Sequence, residues 1–281
     1  MAGLKKANKD ELEKVVSQIE DENIRTLGEI EVSEDGLVHD VPLLAGYVDS
    51  DGVLHNTFTY REMNGKDEEA ISKADVRSNG AKMVNVLVER CVVAIGSLTK
   101  KECGARWGTI VREMLGGDLD YMAFKIRELS KGKEVEFNHK CPNCGSILTT
   151  IINTDEFNII PFRGQQVINF TLPRGYKDGK GEIHKEGVLR LQNGFDREIV
   201  TPMFKKNAST AMTMLLTRLI SFNDDAVVTQ NQISEMTLRD RDVLEKIIKE
   251  NSFGIDTHID NIMCSTCGQD LSGEVGQSNF F

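Results

Sequence analysis

The sequence predicts an α+β protein built from two duplicated modules, each a strand hairpin plus helices plus a cysteine-bearing hairpin, set about a pseudo-twofold axis. Three observations carry this reading. The chain repeats itself at a slowly drifting offset; strand-like alternation and helical periodicity follow one another in the same order in each copy; and each copy closes on Cys-x-x-Cys-Gly.

Displacing the sequence by 129 residues lays 46–69 on 175–198 without a gap. Ten of these 24 positions agree, among them Gly46/Gly175, Asp49/Asp178, His55/His184, Arg61/Arg190, Asn64/Asn193 and Asp67/Asp196. An offset of 122 lays 114–132 on 236–254 with seven of 19 positions matched, including Asp118/Asp240, Asp120/Asp242 and Gly132/Gly254. An offset of 123 lays Cys141-Pro-Asn-Cys144 on Cys264-Ser-Thr-Cys267. Blocks in one order with drifting offsets mark an internal duplication. The expected divisions are an N-terminal arm over 1–35, module one over 36–165 and module two over 166–281.

The arm carries Leu12, Val15, Val16, Ile19, Ile24 and Leu27 on one stripe, which predicts an amphipathic helix over 8–30 opened by Asn8 and Glu11 as a capping box. It has no counterpart in the second copy. Its stripe must be covered, either as a lid on module one or as an arm docked on a neighbouring subunit, with Ser33–Gly36 as a short hinge. Each module then opens with a hairpin around a polar loop, GYVDSDG or GYKDGKG, flanked by alternating segments at Thr57–Tyr60 and Val188–Leu191. The repeated Asn-Gly leaves the strand, and Asp67 or Asp196 caps the next turn. Met83, Val84, Leu87, Val88, Cys91, Val92 and Ile95 fall at helical spacing, as do Met212, Leu215, Leu216, Leu219 and Ile220. Module one adds a short helix bearing Trp107, Ile110, Val111 and Met114. A further helix starts at the shared Asp-x-Asp, with its carboxylates at the positive end of the helix dipole and Gly116-Gly117 breaking the chain before it.

Cys141-Pro-Asn-Cys144-Gly145 and Cys264-Ser-Thr-Cys267-Gly268 are zinc-knuckle sequences. The two-residue spacing lets a pair of thiolates converge on one metal, and the glycine relieves crowding in the turn behind them. Strand-like segments flank both: Val135–Asn138 and Ile147–Ile152, then Ile255–Ile262 and Leu271–Val275. Two knuckles at matching repeat positions predict one tetrahedral four-thiolate zinc site from Cys141, Cys144, Cys264 and Cys267. The alternatives are an empty reduced pair of knuckles or a disulfide; an iron–sulfur cluster suits such hairpins less. Cys91 belongs to an apolar helix face, Cys103 has no partner in the pattern, and His139 and His258 do not correspond between copies, so none of these is a ligand in this reading.

Composition narrows the function. The 281 residues are 40% apolar and 28% charged with five prolines, the balance of a globular chain. No apolar run approaches the roughly 20 residues needed to span a bilayer. The opening MAGLKKANKDELEKVV turns polar too early for a signal peptide, so a cytosolic product with reduced thiols is expected. A net charge of −10 weighs against nucleic-acid binding. No phosphate loop, nucleophile elbow, HExxH or dinucleotide fingerprint is present in the sequence. Asp118, Asp120, His55 and their counterparts read as capping and loop residues, so no enzyme is expected.

The segments FTYREMNGKDEEAI and VEFNHKCPNCG, the Asp118-x-Asp120 helix, Gly132, a second pass ending in a cysteine pair, and the terminal Asn279-Phe280-Phe281 resemble the T-even-type baseplate hub assembly proteins and their relatives in other contractile phages, over roughly residues 40–281. Ser265 departs from that pattern, standing where the first knuckle has Pro142. The resemblance implies a non-enzymatic protein of the tail baseplate, a structural component of its hub or an assembly factor for it. It implies other tail proteins as partners, a homo-oligomer or several copies in the baseplate, neither nucleic acid nor membrane as a partner, and a place in the virion after assembly in the host cytoplasm. Two other roles compete: a transient assembly chaperone absent from the virion, and a zinc-ribbon adaptor that binds nucleic acid.

Overall fold

The computed structural model describes residues 31–223, 226–259 and 262–274. The predicted arm helix over 8–30 lies outside the described residues.

β1 (Leu37–Val48) and β2 (Leu54–Arg61) form an antiparallel hairpin with Leu37 opposite Arg61 and Val48 opposite Leu54. Asp49 builds the loop between them: its Oδ1 accepts the N–H groups of Asp51 and Val53, both at 2.9 Å. The register slips between Val38 and Val41 and again between Pro42 and Tyr47. Proline, lacking an N–H, costs no ladder bond at such a slip. Within the second slip Gly46 takes φ 80°, and a Cβ there would lie 2.9 Å from the His55 carbonyl oxygen.

Asn64 opens α1 (Gly65–Ile71) through a reciprocal capping box with Asp67; α2 (Ala74–Arg77) follows, and Asn79 caps α3 (Gly80–Cys91). Met83, Val84, Leu87, Val88 and Cys91 are all buried, as their spacing requires. The periodicity carried the expected helix on to Ile95, but α3 ends at Cys91. Val92 turns extended (φ −77°, ψ 130°), and β3 (Val92–Ile95) pairs with β2, Ile95 opposite Phe58. Val92, Val93 and Ile95 are apolar in either geometry, so periodicity does not mark the change, while their stiff β-branched side chains favour the strand. β4 (Leu98–Thr99) completes a four-stranded sheet in the order β1-β2-β3-β4.

α4 (Lys100–Cys103), α5 (Trp107–Glu113) and α6 (Gly116–Lys131) come next. Gly116 and Gly117 do not break the chain ahead of α6; they are its first turn. A Cβ on Gly117 would lie 2.5 Å from the Phe253 ring, so close packing is what requires glycine there. After α6 the chain forms an unbroken hairpin, β5 (Glu134–Lys140) with β6 (Ile147–Asn153), then β7 (Asn158–Ile160).

The second half runs similarly. β8 (Val167–Lys177) pairs with β9 (Ile183–Arg190), Asn193 opens α7 (Gly194–Phe204) with a capping box to Asp196, and Asn207 caps α8 (Ala208–Leu219). β10 (Ile220–Phe222) joins β9 in a three-stranded sheet. α9 (Gln230–Ser234), α10 (Leu238–Glu250), β11 (Gly254–Asp256), β12 (His258–Ile259) and β13 (Gly273–Glu274) complete the described chain. Among the described residues, the strand expected over Ile255–Ile262 is divided at Thr257 into β11 and β12, Leu271 and Ser272 precede β13, and β11 leaves the knuckle hairpin to pair with β7.

This mixed α+β chain packs around three apolar clusters among the described residues. The first gathers Phe58, Tyr60, Leu87, Ile95, Trp107, Met122 and Ile126, and the second Leu172, Tyr176, Leu189, Leu216, Ile233 and Leu244. Each fully buried side chain of this size contributes about 1.5–3 kcal/mol. The third is small, Phe124, Val135, Ile152 and Phe157, with Ile255, Ile259 and Ile262 packed against it. It holds β11 and β12 against the base of the β5–β6 hairpin, and so sets the position of the site. The two halves meet where α7 lies on α3. Asn85 donates to the Gly194 carbonyl and to Glu198, Arg112 pairs with Glu198 at 3.0 Å, and Arg197 pairs with Asp120 at 2.8 Å.

Candidate metal centre

The four predicted cysteines come from two turns of identical construction. At the tip of β5–β6 the Cys141 N–H donates to the Ser146 carbonyl (2.9 Å) and the Gly145 N–H to the Cys141 carbonyl (2.9 Å). In the second turn the Cys264 N–H donates to the Gln269 carbonyl (2.8 Å) and the Gly268 N–H to the Cys264 carbonyl (2.8 Å). Gly145 and Gly268 take φ 74° and 71°, and a Cβ on either would meet nothing within 4 Å. Backbone conformation, not space, is what selects glycine at both.

Cys141 Sγ lies 3.7 Å from Cys267 Sγ, and Cys144 Sγ lies 3.7 Å from Cys264 Sγ. All four sulfurs fall within 4.8 Å of one another. Sulfurs about 2.3 Å from a tetrahedral zinc stand about 3.8 Å apart, so this spacing fits a single four-thiolate ion. A disulfide needs about 2.05 Å, and the six cysteines are free thiols. Sulfurs this close also leave no room for a cage of several irons. Cys141 and Cys264 are buried while Cys144 and Cys267 are exposed. Asn143 reaches from the first knuckle to the Cys267 sulfur at 3.5 Å.

The electrostatics are those of crowded thiols. The Ser146 hydroxyl, 3.2 Å from Cys144 Sγ, and the Ser146 N–H bring the Cys144 thiol down to about 6. Cys267 is drawn down by the Gln269 N–H and by Asn143 but pushed up further by desolvation and by Cys144 and Cys264, to about 11. A divalent cation is the species that allows neighbouring thiolates to coexist.

The other cysteines lie elsewhere. Cys91 is in the first core, where burial raises its thiol to about 12, and Cys103 packs at the edge of that core. Asp118 and Asp240, expected to cap their own helices, reach further. Asp118 accepts the N–H groups of Leu44, Ala45 and Gly46 at 2.8, 3.1 and 3.0 Å, pinning the slip in β1 onto α6. Asp240 accepts the Arg174 N–H at 2.8 Å, the Gly175 N–H at 3.4 Å and the Thr237 hydroxyl at 2.7 Å. His55 pairs with Asp49 at 3.0 Å. Asp178, Glu182 and His184 approach one another within 4.8 Å, and Asp178 Oδ1 organises that loop by accepting the N–H groups of Lys180 and Glu182. Between the halves lies a cleft of about 440 Å³ lined by Gly116, Asp120, Arg190, Arg197 and Phe253. Its arginines are already engaged, Arg190 with Asp196 and Arg197 with Asp120.

Arg90 and Arg218 are structural residues that the sequence reading missed. Arg61 and Arg90 bind Asp67 at 2.6 and 2.7 Å; Arg190 and Arg218 bind Asp196 at 2.6 and 2.8 Å. A faint signal existed: an offset of 128 aligns Asn79 with Asn207, Leu87 with Leu215 and Arg90 with Arg218.

No helix among the described residues is long and apolar enough to cross a membrane. No curated protein and no solved structure matches the chain. The family model described as T4 bacteriophage base plate protein matches residues 50–272, a span that includes Asp118, Asp240 and all four clustered cysteines. The chain belongs to the T4-type phage base plate protein family.

Proposed function

We propose that this base plate protein is a non-enzymatic component of the hub of a contractile tail, or an assembly factor for it, stapled by one structural zinc ion on Cys141, Cys144, Cys264 and Cys267. The observation that carries the metal reading is the meeting of four thiols from sequence-distant turns at tetrahedral spacing. Zinc would supply a redox-inert cross-link. The chain itself supplies two preformed turns, the donor from Asn143, and the apolar cluster of Phe124, Val135, Ile152 and Phe157 that holds the turns in register. Residues 36–165 and 166–281 are read as two copies of one module about a pseudo-twofold axis, with 1–35 as an arm. The matching Arg–Asp–Arg clusters, Asn caps and buried aspartates support that reading.

Base plate membership supports other tail proteins as partners and the virion tail as the place of work; assembly in the host cytoplasm belongs to the same proposal. The net charge of −10 supports a protein partner over nucleic acid. Elemental analysis of protein washed with a mild chelator tests the metal reading: about one zinc per chain is expected, and metal-free but folded protein would overturn it. Mass spectrometry of purified virions tests the place, with retention expected and absence marking a transient chaperone instead.

A further inference from the structure

The four long strands at sheet margins, β1, β5, β6 and β8, are treated differently. β1 carries Pro42 and two register slips, and β8 carries Pro173, Arg174 and a slip between Thr171 and Tyr176. Both have the irregularities that keep an exposed strand from recruiting another. β6, Ile-Leu-Thr-Thr-Ile-Ile-Asn, has no charge, proline or glycine, and it runs through seven consecutive pairs with β5 without a slip. Among the described residues it pairs with β5 alone. Its outward face shows Ile147 at 77% exposure and Ile151 at 65%. The other margin of the hairpin, β5, is guarded by Glu134, Glu136 and Lys140.

We infer that the open edge of β6 pairs antiparallel with β6 of a second copy of this chain, making a continuous sheet β5-β6-β6-β5 across a two-fold axis. The occupant follows from self-complementarity. With the axis at Thr149, Ile147 stands opposite the partner's Ile151, Ile151 opposite the partner's Ile147, and Thr149 opposite its own copy. Apolar residues meet apolar residues, and no charge is placed against a like charge. A closed pair of this kind uses the same patch on both subunits and leaves no unpaired β6 edge to grow.

Light scattering on the full-length protein tests this, using wild type, Thr149→Lys, Thr149→Glu and an equimolar mixture of the two variants. Thr149 is exposed and belongs to none of the three apolar clusters, its hydroxyl bonded only to exposed Asn138 at 2.8 Å, so circular dichroism of both variants should match wild type. Wild type should be a dimer. Each variant, setting like charges against each other on the axis, should be a monomer, and the mixture should recover the dimer. A monomeric wild type, a dimer indifferent to Thr149→Lys, or a mixture that stays monomeric would each overturn the inference.

Discussion

Asp118 is buried and spends both carboxylate oxygens on the backbone of a strand 72 to 74 residues earlier. Burial raises its pKa, to about 6, against the pull of three N–H donors. Asp118→Ala would strand those donors in the interior, at about 1–3 kcal/mol for each group left unsatisfied. A loss of at least about 3 kcal/mol in urea unfolding is expected, and a negligible loss would show that β1 holds its slip without the aspartate. Asp67 behaves oppositely. Burial raises its pKa, but Arg61, the Asn64 N–H and Arg90 outweigh it and hold the carboxyl at about 2, below the ordinary 3.8. A depressed carboxyl stabilises above the unfolded value and loses that contribution as pH falls through the folded one, a change of about 2 kcal/mol. Asp196, where burial is likewise outweighed by Arg190, the Asn193 N–H and Arg218, shifts in the same direction. The stability gap between wild type and Asp67→Asn should therefore narrow between about pH 4 and pH 2, measured by denaturant midpoints; a gap constant over that range would contradict the assignment. The helix start after β2 was legible in part: Asp67 was expected as the cap, whereas Asn64 is the cap and Asp67, three residues on, accepts its N–H. The role of Asp118 was not, because a helix-start aspartate looks locally satisfied and its partners lie in another element.

At the scale of elements, the two cysteine hairpins are unequal. β5–β6 has seven cross-strand pairs and buries Val135 and Ile152, whereas among the described residues the second hairpin has the two β12–β13 pairs and an isolated bridge between Met263 and Asp270, and rests on half-buried Ile259 and Ile262. Zinc, if held as proposed, would then matter far more to the second hairpin than to the first. Hydrogen exchange with and without chelator should show protection lost over 258–274 and largely kept over 134–153. Equal loss in both would mean that the first hairpin also depends on metal. The turns themselves were legible, since Cys-x-x-Cys-Gly specifies a local conformation. The lengths of their strands were not. The pairing of β11 with β7 answers to the third apolar cluster, a tertiary cause, and the end of α3 at Cys91 hid behind residues that suit helix core and strand alike.

At the scale of the molecule, β11 of the second half pairs with β7 of the first over the third apolar cluster, and two further kinds of contact join the halves. One is polar, with α7 on α3 through Asn85, Arg112 and Glu198. The other is the cysteine cluster, whose closest sulfurs lie 126 and 120 residues apart in sequence. A cross-link that closes so long a loop restricts the unfolded chain strongly, and for zinc its binding free energy becomes folding free energy. The repeat offsets made the order of elements readable in advance. They gave no sign of the Arg112–Glu198 and Arg197–Asp120 joints, because a contact made once between the halves has no second copy to betray it. X-ray absorption at the zinc edge of the full-length protein tests the central claim most directly. The account predicts one zinc per chain with four sulfur neighbours at about 2.3 Å; a shell containing nitrogen or oxygen, or fewer than four sulfurs, would contradict it.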